Sequence, residues 1–214
     1  MWNPLKTEIA DRFASIETFF KSTRGLGKRE DKISRGLAFV QSYAAYEYCV
    51  RNVVRVAVDA IVAHSHRIQD LKPPLIGLFL NPELNSFKDS TGIDSWPART
   101  KIFESLFDAR PSHNRATFPS DGTHFRQGQL KTIFRILGLK RTPAQRRRHL
   151  VRIDEVVGNR NAVAHGAESA EAVGSRYTRG EVLKIVRQVK SVCLLIISAA
   201  EKQCSDGKRH CRRK

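Results

Sequence analysis

Arg152-Ile153-Asp154-Glu155-Val156-Val157-Gly158-Asn159-Arg160-Asn161-Ala162-Val163-Ala164-His165-Gly166 reads as the closing turns of an amphipathic helix. Its start signal stands upstream. Thr142-Pro143-Ala144-Gln145 offers a capping threonine, a proline at the first helical position and a glutamine at the third. The predicted helix runs to about Ala164 and stops at His165-Gly166. On it Asn161 and His165 are four apart and share a face, and the long side chain of Arg160 can swing to the same spot. Arg-x4-His alone says little, because seven His and 24 Arg in 214 residues supply about 0.8 such pairs by chance. An Asn directly after the Arg lowers that expectation about thirtyfold, since only seven residues are Asn.

Helical periodicity extends outward on both sides. Trp2, Leu5, Ile9, Phe13, Ile16 and Phe20 form a first stripe that stops at Gly25-Leu26-Gly27. A longer helix is predicted from about Asp31 to His64. Read in sevens, its stripe is Ile33, Val40, Glu47, Val54 and Ile61, with Gly36, Tyr43, Val50 and Ala57 as a companion column. Phe125 to Leu137 is helical again, with Gly138 as its C-cap. Thr178-Arg179-Gly180-Glu181 is a second capping box, and the last helix follows with Val182, Val186, Val189, Cys193 and Ile196 on one stripe. Prolines at 73, 74, 82, 97, 111 and 119 break the middle into loops and short helices, one from Trp96 to Phe107. The expected architecture is all-α: an antiparallel up-and-down helical bundle in one domain, 1–207. Residues 71–123 form an insertion or crossover, and 208–214, five basic residues in seven, form a flexible tail.

Composition narrows the function classes. There are 38 Lys+Arg against 21 Asp+Glu, a net charge of +17, which points to a polyanionic partner. No apolar run approaches the ~20 residues that span a bilayer. The opening Met1-Trp2-Asn3-Pro4-Leu5-Lys6-Thr7-Glu8 lacks a signal pattern, so the expected location is the cytoplasm. Cys49, Cys193, Cys204 and Cys211 contain no C-x-x-C pair, which argues against a disulfide scaffold or zinc ribbon. Gly25-Leu26-Gly27-Lys28 lacks the spacing and the Ser/Thr of a phosphate-binding loop, and there is no G-x-S-x-G. His64 and His66, two apart at a helix end, are poorly placed to share a metal. From Arg99 to Arg152 there are 13 basic residues and 3 acidic ones. That excess fits either a solvated face or a surface that tracks phosphates.

With its helical framework, Arg160-Asn161-Ala162-Val163-Ala164-His165 resembles the HEPN superfamily, especially its small bacterial ribonucleases, whose signature is Arg, four to six residues, then His. Gln41-Ser42-Tyr43-Ala44-Ala45-Tyr46-Glu47 is similar to the family's earlier helix, which often carries a Tyr-Ala and an acidic residue. The resemblance covers about 35–65 and 124–200. It implies a metal-independent, cofactor-free endoribonuclease that works on an RNA substrate as a homodimer. The class it suggests is a toxin or phage-defence effector held by an antitoxin or other regulatory protein. Arg160, Asn161 and His165 would be its catalytic residues. Some family toxins carry a modified Tyr two residues after the His; here that position is Ala167, which argues against that regulation. Glu47 enters on physical grounds. A carboxylate on an apolar stripe is costly to bury unless a cation meets it. Arg160 is the economical partner, and Glu47 would then aim its guanidinium. The alternative is a stripe rotated enough to leave Glu47 at the solvent edge. A non-catalytic basic helical RNA-binding module is the rival reading for the whole chain, and a protein-binding adaptor leaves the charge unexplained.

Overall fold

The computed structural model describes residues 1–116, 125–139 and 147–211, without the side chains of 147–149. The described residues are helical throughout, with no strand beyond one isolated bridge, Leu71 to Cys211. The helices are α1 (Trp2–Ser22), α2 (Lys28–Ala63), α3 (Pro73–Phe79), α4 (Asn81–Asp89), α5 (Ser95–Asp108), α6 (Gln127–Ile136), α7 (Arg147–Ala164), α8 (Ala170–Ser175) and α9 (Arg179–Cys204). None of these is long and apolar enough to cross a membrane. The all-α expectation therefore holds. The capping box at Thr142–Gln145 lies outside the described residues.

The chain divides into two compact units. The first comprises Met1–Val53, His124–Leu130 and Arg141–Ser198; the second comprises Val54–Thr123, Lys131–Lys140 and Ala199–Lys214. The segment expected as an insertion falls in the second.

In the first unit the predicted stripe of α1 is the buried one: Leu5, Ile9, Phe13, Ile16 and Phe20. On α2 the companion column is buried, with Gly36, Tyr43 and Val50 inside, while Ile33, Val40 and Glu47 are only half-buried. The reason is helical pitch. Each seven-residue step falls about 20° short of two full turns, so a column read in sevens drifts across a straight helix. α9 begins on the predicted capping box: the Thr178 backbone N–H donates to Glu181 Oε2 (2.7 Å) and the Glu181 N–H to Thr178 Oγ1 (3.2 Å). Those bonds hold the Glu181 carboxyl below its usual range. Arg179 ties helix ends together, pairing with Asp31, donating to the Phe20 carbonyl and lying 4.2 Å over the Phe20 ring. α8 presses backbone to backbone on α2. A Cβ at Gly174 would stand 1.8 Å from the Lys32 carbonyl oxygen, and one at Gly36 2.0 Å from that of Ala170, so both positions require glycine.

In the second unit the proline-broken stretch is more ordered than its sequence suggests. Pro73, Pro74 and Pro82 sit in the first turns of α3 and α4, where a missing N–H costs nothing. Leu75, Leu78, Phe79 and Leu80 are buried. α6 ends as expected: Gly138, at φ +65°, lets its N–H reach the Arg135 carbonyl and the Leu139 N–H reach that of Phe134. The basic tail is a correction. As far as Cys211 it is docked, because His210 is fully buried, its carbonyl accepts from the Lys72 N–H (2.8 Å), and Cys211 bridges to Leu71.

Candidate active site

On α7 Arg160 follows the buried Ile153, Val156 and Val157 at i+7, i+4 and i+3, so the helix turns it toward the core side, and Asn161 stands at that face's edge; both are half-buried. The helix ends as the sequence predicts. The His165 N–H donates to the Asn161 carbonyl (3.0 Å), the Gly166 N–H to that of Val163 (3.2 Å), and Gly166 sits at φ +71°. His165 is thus the first residue past the helix, its side chain exposed, at the negative end of the helix dipole.

Arg160 is held from two sides. Its Nη1 donates to Asn161 Oδ1 (3.0 Å), and its guanidinium carbon lies 4.8 Å over the Tyr43 ring. A cation over an aromatic face is attracted by the ring's quadrupole, which holds the guanidinium in place without cancelling its charge. The Tyr43 ring is fixed from below. It is almost completely buried and lies 6.3 Å from Tyr46, whose hydroxyl donates to the Phe125 carbonyl (2.9 Å). Burial and the nearby Glu47 carboxylate raise the Tyr43 pKa, partly offset by a backbone hydrogen bond with Phe125 and by the Arg160 charge. Tyr43 therefore presents a neutral ring. Asp154, one face away on α7, accepts from the Gln127 N–H (3.0 Å) and caps α6.

Of the four residues named from sequence, Arg160 and Asn161 touch, His165 stands at the same helix end, and Glu47 lies on α2 one turn from Tyr43. Glu47 pairs with Arg51 at 2.7 Å, and its side chain is 25% exposed. It stands at the margin of the buried face, as in the rotated alternative.

Sequence reasoning missed the clamp behind the helix end. Asn159 is buried; its Nδ2 donates to the Tyr177 hydroxyl (2.8 Å) and its Oδ1 accepts from Arg176 Nη2 (3.3 Å). Arg176 also pairs with Glu168 (3.2 Å), three residues past His165. Tyr177 packs on Phe39 at 4.8 Å. The available signal was the i, i+3 step from Val156 to Asn159, which places an amide on the apolar face.

The family model described as RiboL-PSP-HEPN matches residues 7–202. Comparison with curated proteins and with solved structures gives no match.

Proposed function

The chain belongs to the RiboL-PSP-HEPN family, and we propose that it is a metal-independent endoribonuclease. The family supports an RNA-related role in general. What carries the finer reading is Arg160, braced by Asn161 and Tyr43 and standing at the helix end that exposes His165. RNA brings its own nucleophile. Imidazole exchanges protons near neutral pH, so neutral His165 can take the proton of the ribose 2′-OH as that oxygen attacks phosphorus. The bond from phosphorus to the 5′ oxygen breaks, and an imidazolium returns the proton to the leaving oxygen. The ends are a 2′,3′-cyclic phosphate and a 5′-OH. Arg160 offsets the negative charge that grows on the phosphoryl oxygens. Asn161 holds Arg160 in place, and Glu47 acts through the field it shares with Arg160 at Tyr43.

One His serving as both base and acid is awkward. A two-fold dimer that sets two Arg160/His165 pairs across one cleft supplies one of each. The biological setting proposed is a toxin or phage-defence effector in the cytoplasm, held by a regulatory partner. The decisive experiment is cleavage of end-labelled RNA with and without EDTA. Cutting survives the chelator, stops when the scissile ribose is 2′-deoxy, and falls about 10²- to 10⁴-fold in His165→Ala. Loss of activity in EDTA with rescue by Mg²⁺ would sink the mechanism. Unchanged RNA length under all conditions, with salt-sensitive binding retained, would leave the RNA-binding module instead.

A further inference from the structure

Three buried imidazole nitrogens find no hydrogen bond among the described residues: Nδ1 and Nε2 of His210 and Nε2 of His66. They gather at one place in the second unit. The His64 ring lies 6.0 Å from that of His210 and 6.1 Å from that of His66. Among the described residues no three His, Cys, Asp or Glu are set to hold a metal ion. What the cluster can take up is a proton.

His210 anchors the segment that follows α9. Its carbonyl accepts from the Lys72 N–H (2.8 Å), Cys211 bridges to Leu71, and Gln203 Nε2 donates to the Arg209 carbonyl (3.3 Å). Gly207 lies directly on His64, since a Cβ there would stand 2.8 Å from the ring. Few bonds hold this segment, and the only side chain that 205–211 buries is one that can become charged.

A neutral imidazole can stay in that place. An imidazolium cannot, because burial strips its water and cations surround it. From the residues just past α2 His210 faces His64 and His66, from the turn before α3 Lys72, and from its own segment Asp206, the one anion. Its neighbour Cys211 faces Asp70 and Lys72. Burial first, then His64, Lys72 and His66, push the His210 pKa from 6.5 down to about 4, against the pull of Asp206. Once undocked, His210 regains its ordinary value. Between pH 6.5 and about 4 it then binds a proton that the docked form refuses, so docking weakens as pH falls through that window.

We propose that residues 205–211 form an acid-released latch: protonation of His210 drives the segment off His64 and Lys72 while the helices stay folded. Residues 208–214 hold five basic side chains, so what the latch releases is a cationic segment. The latch does not rest on nuclease activity.

The test is amide hydrogen exchange by NMR on the full chain from pH 7 to pH 4, with rates corrected for the intrinsic pH dependence of exchange. The amides of Lys72, His210 and Cys211 report the dock, and those of Val189 and Val192 in α9 report the fold. Protection of the first group is expected to fall about 10²- to 10³-fold across the window, while the second group stays protected. His210→Leu removes the titrating group and should flatten that fall. If this variant does not dock even at pH 7, titration of the wild-type His210 ring signal decides, because the ring should take its proton only as the Lys72 amide loses protection. The proposal is overturned if the protection of the dock does not change with pH, or if it falls equally in a docked His210→Leu. It is also overturned if the whole fold opens at the same pH, or if the ring is protonated while the Lys72 amide stays as protected as at pH 7.

Discussion

Glu47 and Glu83 show two ways of handling a carboxylate, one in each unit. Glu47 sits at the rim of the first unit's core and shares its charge with a largely exposed Arg51. Glu83 is buried in the second, 5% exposed. Its Oε1 accepts from Ser105 Oγ (2.8 Å) and Arg115 Nη1 (2.6 Å), while Oε2 finds no hydrogen bond among the described residues. The costly buried carboxylate that α2's pattern suggested does exist, but it lies in the proline-broken segment. A rim carboxylate can be lost cheaply. A buried one holds its surroundings to a single arrangement, because leaving its cation or itself unpaired costs several kcal/mol.

The comparison predicts its own breaking points. Arg115→Ala strands Glu83 and should lower stability by about 3 kcal/mol in urea denaturation. Replacing Glu83 and Arg115 together by leucine should recover much of that loss. If Arg115→Ala is silent, the two glutamates do not differ.

The second unit hides another ionisable group. His210 is fully buried between His64 and Lys72, and among the described residues neither ring nitrogen has a hydrogen bond. Burial, reinforced by the charges of His64, Lys72 and His66, pushes its pKa down to about 4. The unfolded chain then binds more protons than the folded one between pH 6.5 and about 4, so stability rises with pH across that window. Acidification through it should cost on the order of 2 kcal/mol. Melts of His210→Leu should show a weaker pH dependence over this range. A slope identical to wild type would mean that His210 does not drive it.

The first unit buries an amide where the second buries charge. Asn159→Ala leaves the Tyr177 hydroxyl and Arg176 each short of a partner and should cost about 1–2 kcal/mol. Hydrogen exchange should rise in 166–177 ahead of global unfolding; protection unchanged there would remove Asn159 from the clamp. The smallest effect belongs to the rim. Glu47→Ala should change stability by no more than about 0.5 kcal/mol, and Glu47→Gln should reduce cleavage by less than about tenfold. A loss near 3 kcal/mol in Glu47→Ala would restore the buried pairing with Arg160.

Sequence reading succeeded where local chemistry is sufficient. The stripe of α1, the Thr178–Glu181 box and the glycine stops at Gly138 and Gly166 are each set by residues within a few positions of one another. It failed where the partner is distant in the chain. The drift of a seven-residue column left the side of Glu47 open, prolines that serve as helix starts looked like breakers, and the tail held by Lys72 looked loose.

The sequence by itself determined the helices, their ends and the Arg-Asn-x3-His spacing, because propensity, capping and a 3.6-residue period act over one or two turns. Only the tertiary structure decided that Tyr43 lies beneath Arg160, that Asn159 bonds Tyr177, and that Glu83 rather than Glu47 is buried. Those outcomes depend on which faces of sequence-distant helices pack together. Burial and pairing are properties of that packing, and no local pattern encodes them.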